Sequence, residues 1–160
     1  MYAIHDRVVV FEDPALAHPI LVEQRPDAPT MQGADGTSRR LWPAAIVLAR
    51  YLYAHPELVR GKRVVELGAG AGAAGLVCAA LGATHVSLTD EPDALPLLSD
   101  NVARNESAGA LGGCSLAVLP CSWGDEEHIS ALVEAAGGPF DVVIACEVVY
   151  KQEPEVLQAG

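Results

Sequence analysis

After residue 60, short blocks of apolar residues that are typical of strands alternate with segments that are typical of helices. Blocks rich in β-branched residues predict strands at residues 63–67, 85–89, 115–119 and 140–145. Helices are predicted between them, at residues 73–81, 94–105 and 126–136. The apolar content of these strands indicates that both of their faces are buried in a parallel sheet. Right-handed crossovers then predict a doubly wound, Rossmann-like α/β fold with its ligand outside the carboxyl ends of the strands.

The first 60 residues follow a different pattern. Runs of β-branched residues at 7–11 and 19–23 flank a connection that contains proline, which predicts an antiparallel hairpin. Residues 24–40 are rich in Pro, Gly, Asp, Thr and Ser without periodicity, which predicts a mobile loop. Residues 41–53 predict an apolar helix, with Pro43 in the first turn, where a missing N–H is tolerated.

Length and charge limit the classes of protein that fit. A chain of 160 residues, 51% of them hydrophobic, can bury one core but is too short for two ordinary domains. We therefore expect residues 1–40 to pack on a single ligand-binding domain formed by residues 41–160. The net charge of -11, without a basic cluster, argues against binding to nucleic acid. It permits a basic protein partner, although an acidic exterior that aids solubility is the simpler interpretation.

Cysteine and histidine residues are dispersed along the chain. The four cysteines form no Cys-x-x-Cys pair and the five histidines no i, i+4 pair, so we predict reduced structural thiols and no metal site. No apolar run approaches the ~20 residues that span a bilayer, and the first residues carry charges early. We expect no membrane contact and a cytoplasmic protein, with a nuclear location also open. The oligomeric state is unknown from sequence.

A glycine-rich loop joins the first strand of the alternating region to its helix. Residues 66–75 read ELGAGAGAAG, and glycines without Cβ atoms let a ligand approach the backbone. The last six residues fit a dinucleotide fingerprint, with Asp90 near the expected ~20 residues downstream. Glu66 favours another ligand, because its carboxylate is poorly suited to a pyrophosphate and can help to hold the ammonium of S-adenosylmethionine. A purely structural turn is the third interpretation.

Acidic residues follow two of the predicted strands at their carboxyl ends. Asp90 comes directly after the second strand, where it can accept both ribose hydroxyls of a nucleoside or cap the next helix. Glu147 and Tyr150 follow the last apolar strand. The simpler alternative there is an exposed acid beside a packed tyrosine. The sequence thus predicts a site at the carboxyl edge of the sheet.

The order and spacing of these motifs resemble the class I methyltransferases grouped as methyltransferase-like 21, which include protein N-lysine methyltransferases. The matching segments are LWPAA at 41–45, ELGAG at 66–70, LTD at 88–90, NVARN at 101–105, SWG at 122–124, FD at 140–141 and EVVY at 147–150. The resemblance covers about two thirds of the chain. It implies an enzyme that transfers a methyl group from S-adenosylmethionine to a lysine side chain of a protein substrate.

The resemblance also implies individual roles. The implied cofactor-binding residues are Trp42, Glu66, Gly68, Ala69, Gly70, Asp90, Trp123 and Cys146. The implied catalytic residues are Glu147, which orients the amine, and Tyr150, which shapes the lysine channel. Many relatives carry Asp at the first of these positions, so Glu147 reaches one methylene further. The tryptophans have a simpler role as apolar anchors, and we expect Asn101 and Asn105 to organise a helix end without touching substrate.

The family fold continues beyond Tyr150 with further helices and three strands, so the resemblance implies a chain truncated at its C-terminal side or completed by another chain. We expect the last strand to lack a neighbour on one side, and exposed edges invite pairing. Three functions remain open at this point. They are a protein-lysine methyltransferase, a non-catalytic cofactor-binding fragment or interaction module, and an NAD-dependent oxidoreductase.

Overall fold

The computed structural model describes residues 6–29 and 36–149. The elements are β1 (Val8–Phe11), β2 (Ile20–Glu23), α1 (Pro43–Ala54), β3 (Arg63–Leu67), α2 (Ala73–Ala80), β4 (His85–Asp90), α3 (Leu95–Ser107), β5 (Ser115–Pro120), α4 (Glu126–Ala135) and β6 (Val142–Ala145). Short 3-10 turns at Thr37–Arg39 and Pro56–Leu58 flank α1. Each predicted strand and helix is therefore present, with its ends within two residues of the prediction. Over the two described ranges, no helix combines the length and apolar character needed to cross a membrane.

Four parallel strands form the central sheet in the order β5-β4-β3-β6. The chain moves outward from β3 through β4 to β5 and then returns to the opposite side of β3 as β6. Such a reversal is a topological switch point, which opens a crevice at the carboxyl ends of β3 and β6. The predicted doubly wound α/β fold is confirmed. Among the described strands, β6 pairs with β3 alone, so its other edge is open there.

Close packing of α2 on the sheet depends on Gly75. A Cβ atom at this position would lie 2.2 Å from Cδ2 of Leu88 on β4 and 2.6 Å from Oε2 of Glu66 on β3. Both neighbours are buried, and a packed interior has no room for another methyl group at such distances. The glycine thus lets the first turn of α2 lie directly against the carboxyl ends of β3 and β4.

The predicted N-terminal hairpin is confirmed, and two asparagines of α3 bind its second strand. Asn105 Oδ1 accepts from the Leu21 N–H at 2.9 Å, and its Nδ2 donates to the Leu21 carbonyl at 2.8 Å. Asn101 bonds both backbone groups of Glu23 in the same way, at 2.8 and 2.9 Å. The prediction that these asparagines organise a helix end was wrong. Both side chains are buried and lie one helical turn apart. They instead bond the backbone groups of β2, as a neighbouring strand would.

A cluster of arginines surrounds Glu23 at the end of β2. Its side chain is 6% exposed, and its two oxygens accept from Arg7, Arg25 and Arg104 at 2.7–3.2 Å. The hydrogen bonds from Arg25, and after them those from Arg7, outweigh the effect of burial and lower the pKa of Glu23 to about 2. The carboxylate therefore stays ionised in the folded protein well below its usual range.

This cluster makes the stability of the fold sensitive to acid. The pKa of Glu23 is lower in the folded chain than its ordinary value of 4.5, so its contribution is complete above pH 4.5 and is lost as the pH falls toward about 2. We expect Glu23→Gln to lower the urea midpoint at neutral pH. We also expect the midpoint of the variant to fall less than that of the parent as the pH is lowered from 4.5 toward about 2. Urea unfolding across that range measures both effects. Glu106→Gln removes the same charge at an exposed position on α3, and its urea midpoint should depend on pH as that of the parent does.

Contacts at both ends of the predicted mobile loop correct that prediction for its described parts. The Arg25 N–H donates to the Arg39 carbonyl at 2.9 Å. The buried side chain of Gln24 accepts from the Leu41 N–H at 3.1 Å and donates to the Asp6 carbonyl at 2.7 Å. These bonds give hydrogen-bond partners to backbone groups of a segment that has no regular secondary structure to supply them. Residues 36–41 are thereby attached to the end of the hairpin.

Candidate active site

A cavity of about 800 Å³ lies at the carboxyl ends of β3, β4 and β6. This is the size range of small-molecule and cofactor sites. The structure brings together in its lining nearly all of the residues predicted from sequence, namely Trp42, Glu66, Gly68, Ala69, Gly70, Asp90, Trp123, Cys146 and Glu147. Tyr150 lies outside the described residues.

The glycine loop forms one wall of the cavity. Its backbone is left-handed at Gly68, Gly70 and Gly72, with φ of 64°, 54° and 83°, as their lack of Cβ atoms permits. A Cβ atom on Gly70 would lie 3.0 Å from the Ser38 carbonyl oxygen, and one on Gly68 would lie 2.7 Å from Cγ1 of Val148. Segments that precede α1 and follow β6 therefore approach the loop closely from two sides.

Asp90 holds the glycine loop in place from the end of β4. Its Oδ2 accepts from the Gly70 N–H and its Oδ1 from the Glu91 N–H, both at 2.7 Å. Burial raises the pKa of Asp90, although the two amide bonds oppose this effect. Each oxygen retains a further lone pair for a hydroxyl group of a ligand. The capping alternative is excluded, because the N-cap of α3 is Ala94, with no side-chain hydrogen bond.

Glu66 of β3 lies at the floor of the cavity, where its side chain contacts the first turn of α2. Its Oε2 accepts from the Gly75 N–H at 2.8 Å. Burial, reinforced by the charge of Asp90 and opposed by the Gly75 bond, raises the pKa of Glu66 to about 8. A dinucleotide fold uses the amides at this helix end to bind pyrophosphate. Here a carboxyl group already accepts from one of them, which disfavours a dinucleotide.

Glu147 is turned toward α1 by an unusual backbone conformation. It is the only described non-glycine residue with a positive φ, 57°, and such a conformation is sparsely populated by L-residues. Its Oε2 accepts from the N–H of Ala44 in the first turn of α1 at 3.1 Å. The strained backbone and this bond hold the carboxylate beside the cavity. Glu147 is nevertheless exposed, as the alternative of an exposed acid expects, and Tyr150, the packed tyrosine of that alternative, lies outside the described residues.

Two tryptophans lie on the rim. Trp42 is 44% exposed and Trp123 is 54% exposed, although both line the cavity. The Trp42 Nε1–H donates to the Thr37 carbonyl at 3.0 Å. Neither ring is an anchor of the core, so the simpler interpretation is disfavoured for both. Flat aromatic faces at a cavity mouth suit a planar ligand group or an apolar chain.

Cys146 places a thiol in the same cavity. Burial, and after it the charges of Glu66 and Glu147, raises the pKa of Cys146 to about 11. Burial likewise raises the pKa of the lining thiol of Cys121, with smaller effects from Glu91 and Asp125. Both thiols are therefore protonated near neutral pH and are poor nucleophiles. They contribute apolar, polarisable walls to the cavity.

Sequence reasoning missed several lining residues in the segment before α1 and after β4, which are Thr37, Ser38, Arg40 and Glu91. They adjoin Trp42 and Asp90, but the irregular composition of the loop gave no separate signal. In the lining, four acidic side chains (Glu66, Asp90, Glu91 and Glu147) accompany one basic side chain, Arg40. Because burial raises the pKa of Glu66, the negative charge of this lining comes mainly from the other three acids, and it favours a ligand with positive charge.

The sequence profile described as lysine methyltransferase matches residues 29–157. The chain is 36% identical over 125 residues to EEF1A lysine methyltransferase 3 of Mus musculus, covering 78% of this chain and 49% of that protein. It is also 36% identical over 125 residues to protein N-lysine methyltransferase METTL21A of Danio rerio, covering 77% and 54%. With calmodulin-lysine N-methyltransferase of Arabidopsis thaliana it shares 35% identity, covering 70% and 35%. The chain thus spans about half the length of the first two relatives.

Solved structures share the fold at lower identity. A 16S rRNA N2 G1207 methyltransferase of T. thermophilus, solved with AdoMet and guanosine, aligns with a TM-score of 0.57 at 22% identity, covering 96% of this chain and 37% of that one. A SAM-dependent methyltransferase of Agrobacterium tumefaciens aligns with a TM-score of 0.50 at 18% identity, covering 88% and 39%. At these identities the likeness concerns the fold alone.

Proposed function

The chain belongs to the lysine methyltransferase family, and we propose that it transfers a methyl group from S-adenosylmethionine to a lysine side chain of a protein. The observation that supports this most directly is the convergence of the glycine loop, Asp90 and Glu147 on one cavity. The glycine loop and Asp90 suit a nucleoside, Glu147 suits a substrate amine, and all three line the same cavity. The relatives are named for EEF1A and calmodulin, and we propose a protein substrate of unspecified identity here.

The cavity fits this cofactor by the chemistry of its lining. Asp90 presents a carboxylate for the ribose hydroxyls, and the backbone at Gly68 and Gly70 permits close approach. The excess of acidic side chains suits the cationic sulfur and ammonium of the cofactor. A cation near Glu66 would oppose the effect of burial and lower the pKa of that group. When bound, the cofactor supplies an activated methyl group.

The chain's own residues must align an amine and keep water away from it. The pKa of free lysine is near 10.4, so only about one molecule in a few thousand is neutral at pH 7. The rings of Trp42 and Trp123 reduce access of water at the rim, which favours the neutral amine. We assign Glu147 the role of orienting the amine nitrogen, because its carboxylate stabilises the protonated form and is poorly suited to be a general base. The assignment of Tyr150 to the lysine channel stays a prediction.

Two alternatives remain. A cofactor-binding module without turnover is the stronger of them, because the glycine loop and Asp90 would serve it without any role for Glu147. An NAD-dependent oxidoreductase is disfavoured by the bond from the Gly75 N–H to Glu66. The cytoplasmic location, with a nuclear location open, stays a prediction from sequence.

Transfer of isotopically labelled methyl groups tests the proposal. The purified chain and labelled S-adenosylmethionine are incubated with a cell extract, and labelled lysines are identified by mass spectrometry. We expect label on lysine side chains, and its loss in the Asp90→Ala variant. Binding of S-adenosylmethionine without any labelling would favour the non-catalytic module. Tight binding of NAD without binding of S-adenosylmethionine would revive the oxidoreductase.

We expect Asp90→Ala to weaken binding of S-adenosylhomocysteine by ~1.5–3 kcal/mol, because a charged acceptor for the ribose hydroxyls is lost. This corresponds to roughly tenfold to a hundredfold in affinity. Calorimetric titration measures the loss, and a thermal melt shows whether the domain remains folded. Asp90→Asn retains an acceptor for one of the two amides and should lose less. Parent affinity in a folded Asp90→Ala variant would remove this residue from the cofactor site.

A further inference from the structure

A short segment before α1 lies across the glycine loop. We define residues 36–42 as the strap. The Ser38 carbonyl oxygen lies 3.0 Å from the position that a Cβ atom on Gly70 would occupy. Thr37, Arg40 and Trp42 also line the cavity. The strap is therefore a wall of the cavity that belongs neither to the sheet nor to a long helix.

One side of the strap is attached by uncharged hydrogen bonds to the two residues that follow β2. The Arg39 carbonyl accepts from the Arg25 N–H at 2.9 Å, and the Leu41 N–H donates to Gln24 Oε1 at 3.1 Å. Within the strap, the Trp42 Nε1–H donates to the Thr37 carbonyl. These neutral bonds fix the strap to Gln24 and Arg25, just after β2, and keep its turn closed. They do not cross the cavity.

The other side is attached by a charged pair. The Arg39 Nη2 lies 2.8 Å from Asp93 Oδ1, and the two side chains are only 12% and 9% exposed. The Arg39 guanidinium also donates to the Pro29 carbonyl. A pair so shielded from water is not weakened by screening as a surface pair is, and loss of one partner leaves the other charge buried. In the other ion pairs of the described residues, by contrast, at least one side chain is 33% or more exposed.

Asp93 stands three residues after Asp90, in the short connection between β4 and α3. Asp90 binds the glycine loop through the Gly70 N–H, and Asp93 binds the strap through Arg39. Both walls of the cavity are thus fixed to one four-residue segment, residues 90–93. The Arg39–Asp93 pair thus ties the strap to the same segment that holds the glycine loop.

We propose that Arg39 and Asp93 are positioning residues which latch the strap across the glycine loop, so that the ligand of the cavity enters and leaves when this pair opens. The identity of that ligand as S-adenosylmethionine rests on the proposed function. The latch itself is a property of the ligand-free chain and can be measured without any ligand.

Amide hydrogen exchange of the ligand-free chain tests the latch directly. Asp93→Asn is expected to accelerate exchange across residues 36–41 on the order of tenfold, while β4 and α3 keep their protection. Glu106→Gln is the matched control, since it removes the same charge from an exposed position on α3. Because Asp93→Asn leaves the shielded charge of Arg39 without its carboxylate, the double variant Arg39→Met/Asp93→Leu is measured as well. It removes both charges and should melt near the parent temperature, yet its strap should still exchange rapidly.

Release of S-adenosylhomocysteine gives a second readout, followed by stopped-flow fluorescence of the rim tryptophans. In the double variant we expect release to accelerate on the order of tenfold and association to change less, so that the affinity falls. Parent exchange rates across the strap together with parent release would overturn the latch. If the parent chain binds neither S-adenosylhomocysteine nor S-adenosylmethionine, the proposed function fails, while the exchange experiment still decides the latch.

Discussion

Glu147→Gln is expected to slow methyl transfer on the order of a hundredfold while leaving the affinity for S-adenosylmethionine within a few-fold of the parent value. An oriented charge contact that is made in the transition state contributes ~2–4 kcal/mol to its stabilisation. Glutamine keeps the length of the side chain and one acceptor oxygen. The substitution therefore tests the charge of residue 147 more than its shape.

The geometry around Glu147 explains why rate and affinity should separate. Glu147 follows β6, whereas the proposed ribose ligand Asp90 is the last residue of β4, on the other side of β3. Oε2 already accepts from the Ala44 N–H, and a glutamine oxygen can keep that bond. The φ of 57° at residue 147 is a backbone property that the substitution does not change. The loss should thus fall on the contact with the substrate amine.

Single-turnover transfer and cofactor affinity are measured on the same preparation, if necessary with the C-terminal part of a longer relative joined to the chain. Glu106→Gln carries the same charge change far from the cavity and should behave as the parent. Transfer by Glu147→Gln at the parent rate would sink the catalytic assignment. Parallel losses of rate and affinity would move Glu147 into the cofactor site.

The secondary structure could be predicted from sequence because its signals are local. Alternation of apolar blocks set the positions of β3 to β6, and the glycines marked the turn before α2. Pro43 marked the first turn of α1, which begins at that residue. The ends of these elements differ from the prediction by at most two residues, because hydrogen bonds between distant residues decide them. At β6, for example, the Asp141 carboxylate accepts from the Arg63 N–H at 2.8 Å, and the strand begins one residue later.

The contacts that organise the site could not be predicted, because they join residues far apart in the chain. Gln24 binds Leu41 across a segment whose composition indicates only a loop. Arg39 and Asp93 are separated by 54 positions, and neither stands in a motif. The sequence suggested a ligand role for Asp90 but not its bond to Gly70. The types of the residues indicated the chemistry of the cavity. The positions of its walls depend on side chains that accept hydrogen bonds from backbone N–H groups far away in the sequence.

Asn101 is such a residue, and its replacement by alanine is expected to lower the free energy of unfolding by about 3–5 kcal/mol. Its side chain accepts from the Glu23 N–H and donates to the carbonyls of Glu23 and Ala71, at 2.8–3.0 Å, with no exposed surface. Alanine would leave three buried backbone groups without these partners. Each buried polar group that loses its partner costs ~1–3 kcal/mol, although relaxation and entry of water reduce the sum.

The effect of this substitution should extend from stability to the cavity, because Ala71 lies in the glycine loop between two residues with positive φ, Gly70 and Gly72. A melting temperature lowered on the order of 10 °C, measured by calorimetry, is the first expected result. Weaker binding of S-adenosylhomocysteine at a temperature where the variant is still folded is the second. Glu106→Ala, on the exposed side of the same helix, should change the unfolding free energy by less than about 0.5 kcal/mol. An Asn101→Ala chain that melts with the parent would show that Asn101 does not support the fold, because the hairpin and the glycine loop would then hold their positions without its three bonds.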